Sequence, residues 1–429
     1  MLIRAPTHTE TTTIPLSPFD IANRGRSIPL CWFYDEALDK DALVSSLAET
    51  LQFYPHLCGR YSDENIALNN AGVPLEFATA PSLDAARAHL LGDGPRAFDR
   101  AAHEACAPDK TAMDPDPATP STPLLSVKVT RFEGGGTALA ILLQHGVCDA
   151  DAAIAFVTAW SRAFRGLPPP PPPTRGRLAV LDGPGGGACD TSRVAVVRPG
   201  ERFVPEFAGV MDRIAGAAAV RVPITAATLR RWKADVPRLP SGEFVSADDL
   251  VTARTWRALA RVRVAQVGLG GDSDQPTTVM RAVNVRKRTE PPLGDDFAGN
   301  AAVQAWTTCS VKELLASSVV DVARRLRRGL NELTPASIAS LARWHHARHE
   351  EGCQTKYTFD ANALTFIVSS WRFDWAGATF GGARPTHFDH GALVPVVSNF
   401  TPRPNGDGVD VWHSGARDAC DRFAEFLVA

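Results

Sequence analysis

The run Thr137–Leu143, TALAILL, is continuously apolar, the pattern of a strand buried on both faces. Further on the period changes, and Ile154, Val157, Ser161 and Phe164 recur at helical spacing within AAIAFVTAWSRAF. Asp149, a favoured N-cap type, opens that helix, and Asp151 adds negative charge to its first turn. Gly166 and the prolines beyond stop it. The pattern predicts a strand-to-helix junction around residues 144–150, where a side chain faces open space.

Other segments follow the same two periods. PSLDAARAHLLGDG reads as a polar surface helix ended by Gly92–Pro95. Arg221–Ile224 predicts a strand opening the second half, and Ser246 stands where a cap precedes a helix over Ala247–Arg263. Thr334 and Pro335 cap and begin another helix, with Ile338, Leu341 and Trp344 as its apolar positions. Between the halves lie six consecutive prolines, Pro168–Pro173, and then Gly183–Gly187 with one proline among them. Polyproline II covers about 3.1 Å per residue, so this tract suits an extended crossover, with a role as an SH3 or WW ligand a secondary reading. The boundary zone is 167–205. The expected domains are residues 1–185 and 206–429, joined by a linker over 186–205.

Composition narrows the class only a little. The 429 residues, 45% hydrophobic and 21% charged, suffice for two domains of about 200 residues each. A formal net charge of −2 offers no broad attraction to nucleic acid or anionic membrane, leaving only a local basic patch for phosphates. The N-terminus lacks the blocks of a signal peptide, and no stretch approaches about 18 uninterrupted apolar residues, so a cytoplasmic protein with no membrane span is expected, and a monomer because no coiled coil or exposed apolar stripe is evident. The eight cysteines, at 31, 58, 106, 148, 189, 309, 353 and 420, stand singly, which suits reduced thiols rather than disulfides or zinc.

Candidate chemistry gathers at the junction, where His145 ends the strand and Asp149 caps the helix. The same spacing recurs at His89 and Asp93, but there it closes a polar surface helix and reads as structural. From the residues alone His145 is either a base facing open space or a histidine satisfied by a carbonyl at a strand end. Cys148 invites a Cys–His nucleophilic pair, yet residues three apart across a turn seldom aim at one point, which favours a small buried apolar role. His345, His349 and Cys353 suggest a metal, but no further ligand follows at the usual spacing. Their neighbours Arg343, Arg348 and Glu350 suit a solvated helix face, and no metal site is expected.

Longer segments decide between the readings of His145. LSPFD (16–20), SSLAETLQFYPHLCGRY (45–61), PLLSVKVTRFEGGGTALAILLQHGVCD (123–149), VSADDLVTARTWRALARVR (245–263), VNVRKRTEPPLGDDFAGN (283–300) and SSWRFDWAGATFGGARP (369–385) stand in the order found in the BAHD acyltransferases. That family comprises CoA-dependent O- and N-acyltransferases of plant and fungal specialised metabolism, and the resemblance spans nearly the whole chain. The third segment resembles the hairpin leading into the family's His-x-x-x-Asp, with Ala150 where the family usually has glycine. The family's Asp-Phe-Gly-Trp-Gly appears as Thr379, Phe380, Gly381, Gly382 and Ala383, without the aspartate or the tryptophan. In the family that loop is mainly structural, so the change bears on stability or coenzyme handling rather than on proton transfer.

The resemblance implies an α/β fold of two similarly folded chloramphenicol acetyltransferase-like domains with mixed sheets and a channel at their interface. A late segment of the second half crosses back to the first sheet. It implies acyl transfer from acyl-CoA, a co-substrate rather than a tightly bound cofactor, to a small-molecule alcohol or amine, with His145 as general base and no covalent acyl-enzyme. Ser369 would supply an oxyanion donor, Trp371 would line the acceptor pocket, and Ser246 and Asn300 would line the coenzyme tunnel. Asp149 would hold the turn by pairing with an arginine. In a strand Arg286 and Arg288 project to the same side, with Arg286 the first choice and Arg288 the second. The residues alone also allow Arg286–Arg288 as a solvated basic strand edge, Ser246 as a plain cap and Asn300 as a turn residue. Two other classes stay open. One is a condensation-type enzyme using carrier-protein thioesters, against which Gln144 precedes His145 where such sequences usually double the histidine. The other is a non-catalytic acyltransferase-like binding protein, favoured by the altered TFGGA loop and opposed by the intact His145 and Asp149.

Overall fold

Continuous apolar runs become central strands, and amphipathic runs become the helices that cover them. The structure, a computed structural model, describes residues 1–7, 12–87, 90, 94–97, 105–109, 121–175, 188–203, 209–210, 214, 218–240, 242–358, 360, 362, 364–368, 373–389, 394–403 and 406–429. Its first half runs β1 (Leu2–Ile3), α1 (Pro18–Asn23), β2 (Ser27–Tyr34), α2 (Lys40–Leu51), β3 (Val73–Ala80), β4 (Gly94–Ala97), β5 (Leu125–Phe132), β6 (Thr137–Gln144) and α3 (Ala150–Phe164). The second runs β7 (Val194–Val197), β8 (Ala218–Thr225), α4 (Ala226–Ala234), α5 (Ala247–Gln266), β9 (Pro276–Asn284), β10 (Ala302–Ser310), α6 (Val319–Asn331), α7 (Pro335–Glu350), β11 (Gln354–Tyr357), β12 (Thr365–Val368), β13 (His387–Asp389), β14 (Val397–Pro402), β15 (Gly408–Gly415) and α8 (Arg417–Val428). Among the described residues no helix is long and apolar enough to cross a membrane.

The first sheet has the order β1-β3-β5-β6-β2-β13, with β3 and β5 parallel and the other neighbours antiparallel. Every residue of β6 is buried, as its unbroken apolar run requires. Helices α2 and α3 cover this sheet over a core that includes Trp32, Leu139, Ile141, Phe156 and Trp160, and the Trp160 Nε1 donates to Ser46 Oγ at 3.0 Å. The second sheet has the order β10-β9-β12-β14-β15-β8-β4, with β12 parallel to both neighbours. Its core gathers Trp256, Phe366, Phe400, Val411 and Phe423.

The halves exchange strands. Segment β13, from the second half, pairs antiparallel with β2 of the first sheet through His387↔Phe33, Phe388↔Trp32 and Asp389↔Cys31. Segment β4, from the first half, pairs with β8 in the second sheet. Within the segment 186–205, expected as the linker, residues 194–197 form β7, paired antiparallel with β11. VAVV is a β-branched, apolar run with strong strand propensity, and that outweighs its position between two domains. The prolines Pro168–Pro173 lead to Thr174, which bridges to Phe297 and exchanges hydrogen bonds with Asp296 O and Ala298 N at 3.0 and 2.8 Å.

The TFGGA loop is anchored despite its missing aspartate and tryptophan. Gly381 takes the left-handed backbone that glycine favours, at φ +63°, and Phe380 and Ala383 bond each other's backbone at 3.1 and 3.0 Å. The Phe380 ring is buried against Tyr34, Trp160 and Phe164, edge-on, with centroids 5.9, 5.3 and 5.3 Å away. The Tyr34 hydroxyl donates to Ala378 O at 2.7 Å. Phe380→Ala is therefore expected to cost about 3–5 kcal/mol of stability, read from the denaturant midpoint. A loss below about 1 kcal/mol would show that this ring does not anchor the loop.

Candidate active site at a strand-to-helix junction

The end of β6 turns sharply into α3, and close packing fixes the turn. The His145 N–H donates to Arg26 O at 2.7 Å, continuing the β2–β6 ladder one step beyond Gln144. Gly146 admits no side chain, since a Cβ there would stand 2.8 Å from Tyr61 Oη, 3.0 Å from Arg24 Cα and 3.1 Å from Asp20 O. His145 is half-buried, and its Nδ1 is enclosed with no hydrogen-bond partner among the described residues. Burial lowers its pKa, contact with its own backbone raises it, the charge of Arg26 lowers it, and Asp149 and Asn300 raise it. The net direction is down from the ordinary 6.5, so the ring is neutral at neutral pH.

Asp149 caps α3 and faces away from the imidazole into a buried ion pair. Its Oδ1 accepts the Ala152 N–H at 3.0 Å and Arg286 Nη2 at 2.9 Å, and its Oδ2 accepts Arg286 Nη1 at 2.9 Å and the Ala301 N–H at 2.8 Å. Both side chains are 3% exposed. Arg286 completes its donor set on the carbonyls of Phe297 and Gly299, at 2.8 and 3.1 Å. All this joins the first half to the second.

Arg288, the second choice for this pair, does not meet Asp149. Strand β9 ends at Asn284, and the chain then turns, Arg288 N donating to Val285 O at 2.7 Å, so Arg286 and Arg288 do not share a strand face. Arg288 reaches the carbonyls of Leu330 and Leu333 instead, both at 3.4 Å. The reading of this triplet as a solvated edge fails for Arg286, which is buried.

Asn300 is also placed differently from the expectation of a tunnel lining. It is fully buried, donating Nδ2 to His145 O at 2.7 Å and to Asp20 Oδ1 at 2.8 Å, while its N–H donates to the same Oδ1 at 2.9 Å. Its side chain faces protein because two carbonyl or carboxylate oxygens at the junction need a donor there. Two members of this network were given no role from sequence. Asp20 forms a capping box with Ser17 at α1, and its Oδ2 lies 3.4 Å from Arg175 Nη2. Arg175, just past the prolines, also donates to Val147 O and to Ala298 O. The segment containing Asp20 was visible in LSPFD, whereas nothing in the sequence around Arg175 pointed to the junction.

A basic cavity of about 440 Å³ adjoins the ion pair, lined in part by Ser246, Arg281, Arg286, Lys287, Arg288 and Arg327. Ser246 does cap α5, but it also receives a hydrogen bond from Arg327 Nη2 at 2.8 Å on the cavity wall. Asp248 and Asp249 pair with Arg281, Asp249 pairs with Arg327, and Asp295 pairs with Lys287. Among the described residues Arg288 has no carboxylate partner, and burial, then Arg327 and Arg281, lower its pKa.

The remaining candidates lie elsewhere. Cys148 is buried, and burial pushes its thiol well above the ordinary range, which leaves no thiolate for catalysis. The solvated-face expectation fails for His345, which is buried, with Nδ1 2.9 Å from Thr355 Oγ1 and its pKa lowered by burial to about 4. Ile338, Ala342 and His345 fall on one helical stripe, so the ring follows the apolar residues inward. His349 meets Glu64 at 2.7 Å. Ser369, Trp371, His89 and Asp93 lie outside the described residues.

The chain is similar to known proteins in sequence and in fold. A model of the Transferase family matches residues 1–414. The chain is 24% identical to anthranilate N-benzoyltransferase protein 1 of Dianthus caryophyllus, over 95% of this chain and 88% of that protein. It is 26% identical to tryptamine benzoyltransferase 1 of Oryza sativa subsp. japonica, over 96% and 92%. The fold matches F. sporotrichioides TRI101 complexed with coenzyme A and T-2, with a TM-score of 0.70 at 21% identity and 97% of each chain covered.

Removing one partner of the Asp149–Arg286 pair strands the other in a dry site. Arg286→Ala and Asp149→Ala should each cost about 3–5 kcal/mol in chemical denaturation, with the double variant losing far less than the sum of the two. Additive losses would show that the two side chains do not act together.

Proposed function

Because this chain belongs to the Transferase family, the BAHD acyltransferases, we propose that it moves an acyl group from acyl-CoA to the hydroxyl or amine of a small molecule, with His145 as general base. The observation that carries this reading is a neutral imidazole at a strand end, its backbone held by Asn300 and by the β2 ladder and its turn pinned by the Asp149–Arg286 pair. With Nδ1 enclosed, Nε2 is the nitrogen left to meet a substrate.

The acceptor O–H or N–H gives its proton to Nε2 as the oxygen or nitrogen attacks the thioester carbonyl. The tetrahedral adduct then collapses, the carbon–sulfur bond breaks, and the departing thiolate takes the proton back from the imidazolium. Such base catalysis supplies about 10²–10⁴ in rate, and holding both substrates at one junction supplies the rest through orientation. Ser369 is the proposed donor to the oxyanion and Trp371 a lining of the acceptor pocket. The basic cavity beside the ion pair suits the anionic portion of CoA, with Ser246 on its wall and Arg288 as a cation that has no carboxylate partner among the described residues. Asp149 and Arg286 position the turn and touch neither substrate. The named acceptors of the two relatives, anthranilate and tryptamine, share an amine, which supports amines alongside alcohols here.

The test is a screen of acyl-CoA donors against alcohols and amines, with free thiol as the readout. His145→Ala should lower kcat by about 10²–10⁴ while keeping the wild-type melting temperature. Folded protein that releases no coenzyme with any pair, and binds no CoA ester by calorimetry, would overturn the proposal. The depressed pKa of His145 also predicts the pH profile. The base works unprotonated, so kcat/KM should hold as pH falls through 6.5 and drop only below it. An acid limb centred above 6.5 would exclude this imidazole as the titrating base.

A further inference from the structure

We infer that the acceptor is a carboxylate-bearing amine or alcohol, its carboxylate held by Arg26 and Lys356 beside His145. This rests on the acyl-transfer reading and names the class of acceptor.

The geometry begins in the β2–β6 ladder. Ser27 pairs with Gln144, and the next step is the hydrogen bond from His145 N to Arg26 O. Residues directly opposed in an antiparallel ladder put their side chains on the same face, so Arg26 and the imidazole share one. The Arg26 guanidinium carbon lies 5.7 Å from the ring centroid of Tyr357 on β11. The preceding residue of β11, Lys356, donates Nζ to Arg24 O at 3.2 Å, and the Arg24 guanidinium lies 4.6 Å from the Tyr61 ring centroid. Three half-buried cations are thus gathered at the start of β2, and Arg26 among them acts on the proposed base.

The nearby carboxylates are engaged elsewhere. Glu64 meets His349 at 2.7 Å, and Asp20 is taken by Asn300 and Arg175. Among the described residues no carboxylate pairs with Arg26 or Lys356. Burial lowers the pKa of Lys356, and the charges of Arg26 and Arg24 lower it further, as expected where cations are gathered. A bound carboxylate relieves that repulsion and accepts charge-assisted hydrogen bonds. By neutralising Arg26 it also removes one influence that depresses the His145 pKa, so an acidic acceptor strengthens the base that activates it. None of these residues lines the basic cavity near Arg288. The protein therefore has two separate positive surfaces for two anionic substrates.

Calorimetry with anthranilate, methyl anthranilate and tryptamine on the full chain, together with kcat/KM for each using one acyl-CoA, tests this. Anthranilate should bind at least about tenfold tighter than its methyl ester, and tryptamine more weakly than either. Arg26→Gln and, separately, Lys356→Gln should each cut the anthranilate-to-ester ratio of kcat/KM by about tenfold. Should Arg26→Gln not fold, as judged by its melting curve, Lys356→Gln carries the comparison. Equal binding of acid and ester, or a preference for tryptamine, overturns the inference even while coenzyme release continues. Carboxylate selectivity in binding without coenzyme release with any acceptor upholds the site and instead defeats the acyl-transfer reading.

Discussion

One buried ion pair organises the site. Asp149 closes the first turn of α3 and at the same time receives both arms of Arg286, whose remaining donors are spent on carbonyls of the 297–299 loop. Desolvating two charges is expensive, and a pair of this kind adds less net stability than an apolar replacement of the same shape. Its value here is positional, because its geometry is satisfied in one arrangement of the two halves only. The imidazole four residues earlier inherits that arrangement through a rigid turn, with Gly146 wedged against Tyr61 and Asn300 bonded to the His145 carbonyl.

What could be read from the chain was what depends on neighbours in sequence. Thr137–Leu143 and the stripe through Ile154 and Val157 announce the strand and the helix because burial on two faces and burial on one leave different periods. Asp149 as a cap is equally local. Arg288 stays a second choice behind Arg286 in the sequence because nothing in VNVRKR marks the end of the strand at Asn284, and the turn that separates them is set by tertiary contacts. Asn300 looked like a turn residue or a tunnel wall. Its commitment to Asp20, 280 residues away, leaves no trace in local composition. His345 was assigned to the surface from its charged neighbours, although its spacing from Ile338 already placed it on the apolar stripe.

The exchanged strands give the division into halves its physical meaning. Each sheet contains a strand encoded in the other half of the chain, β13 in one direction and β4 in the other. The aromatic anchor at Phe380 lies shortly before β13 and fastens the returning segment to the first core, through contacts that do not need the family's missing aspartate and tryptophan. Neither core is complete until the whole chain has been laid down, so unfolding of one half exposes an unpaired edge in the other.

The six prolines between α3 and Thr174 work as a ruler. A polyproline tract neither stretches nor contracts readily, and each residue advances it by about 3.1 Å. At its far end Thr174 locks onto the 296–298 loop, and Arg175 reaches back to the carbonyl of Val147, inside the turn that carries the imidazole. The count of prolines thus sets a distance inside the junction that carries His145. Losing or gaining one would displace the Arg175 guanidinium by more than a hydrogen bond's tolerance, which makes the length of a low-complexity tract a determinant of how the His145 turn is held.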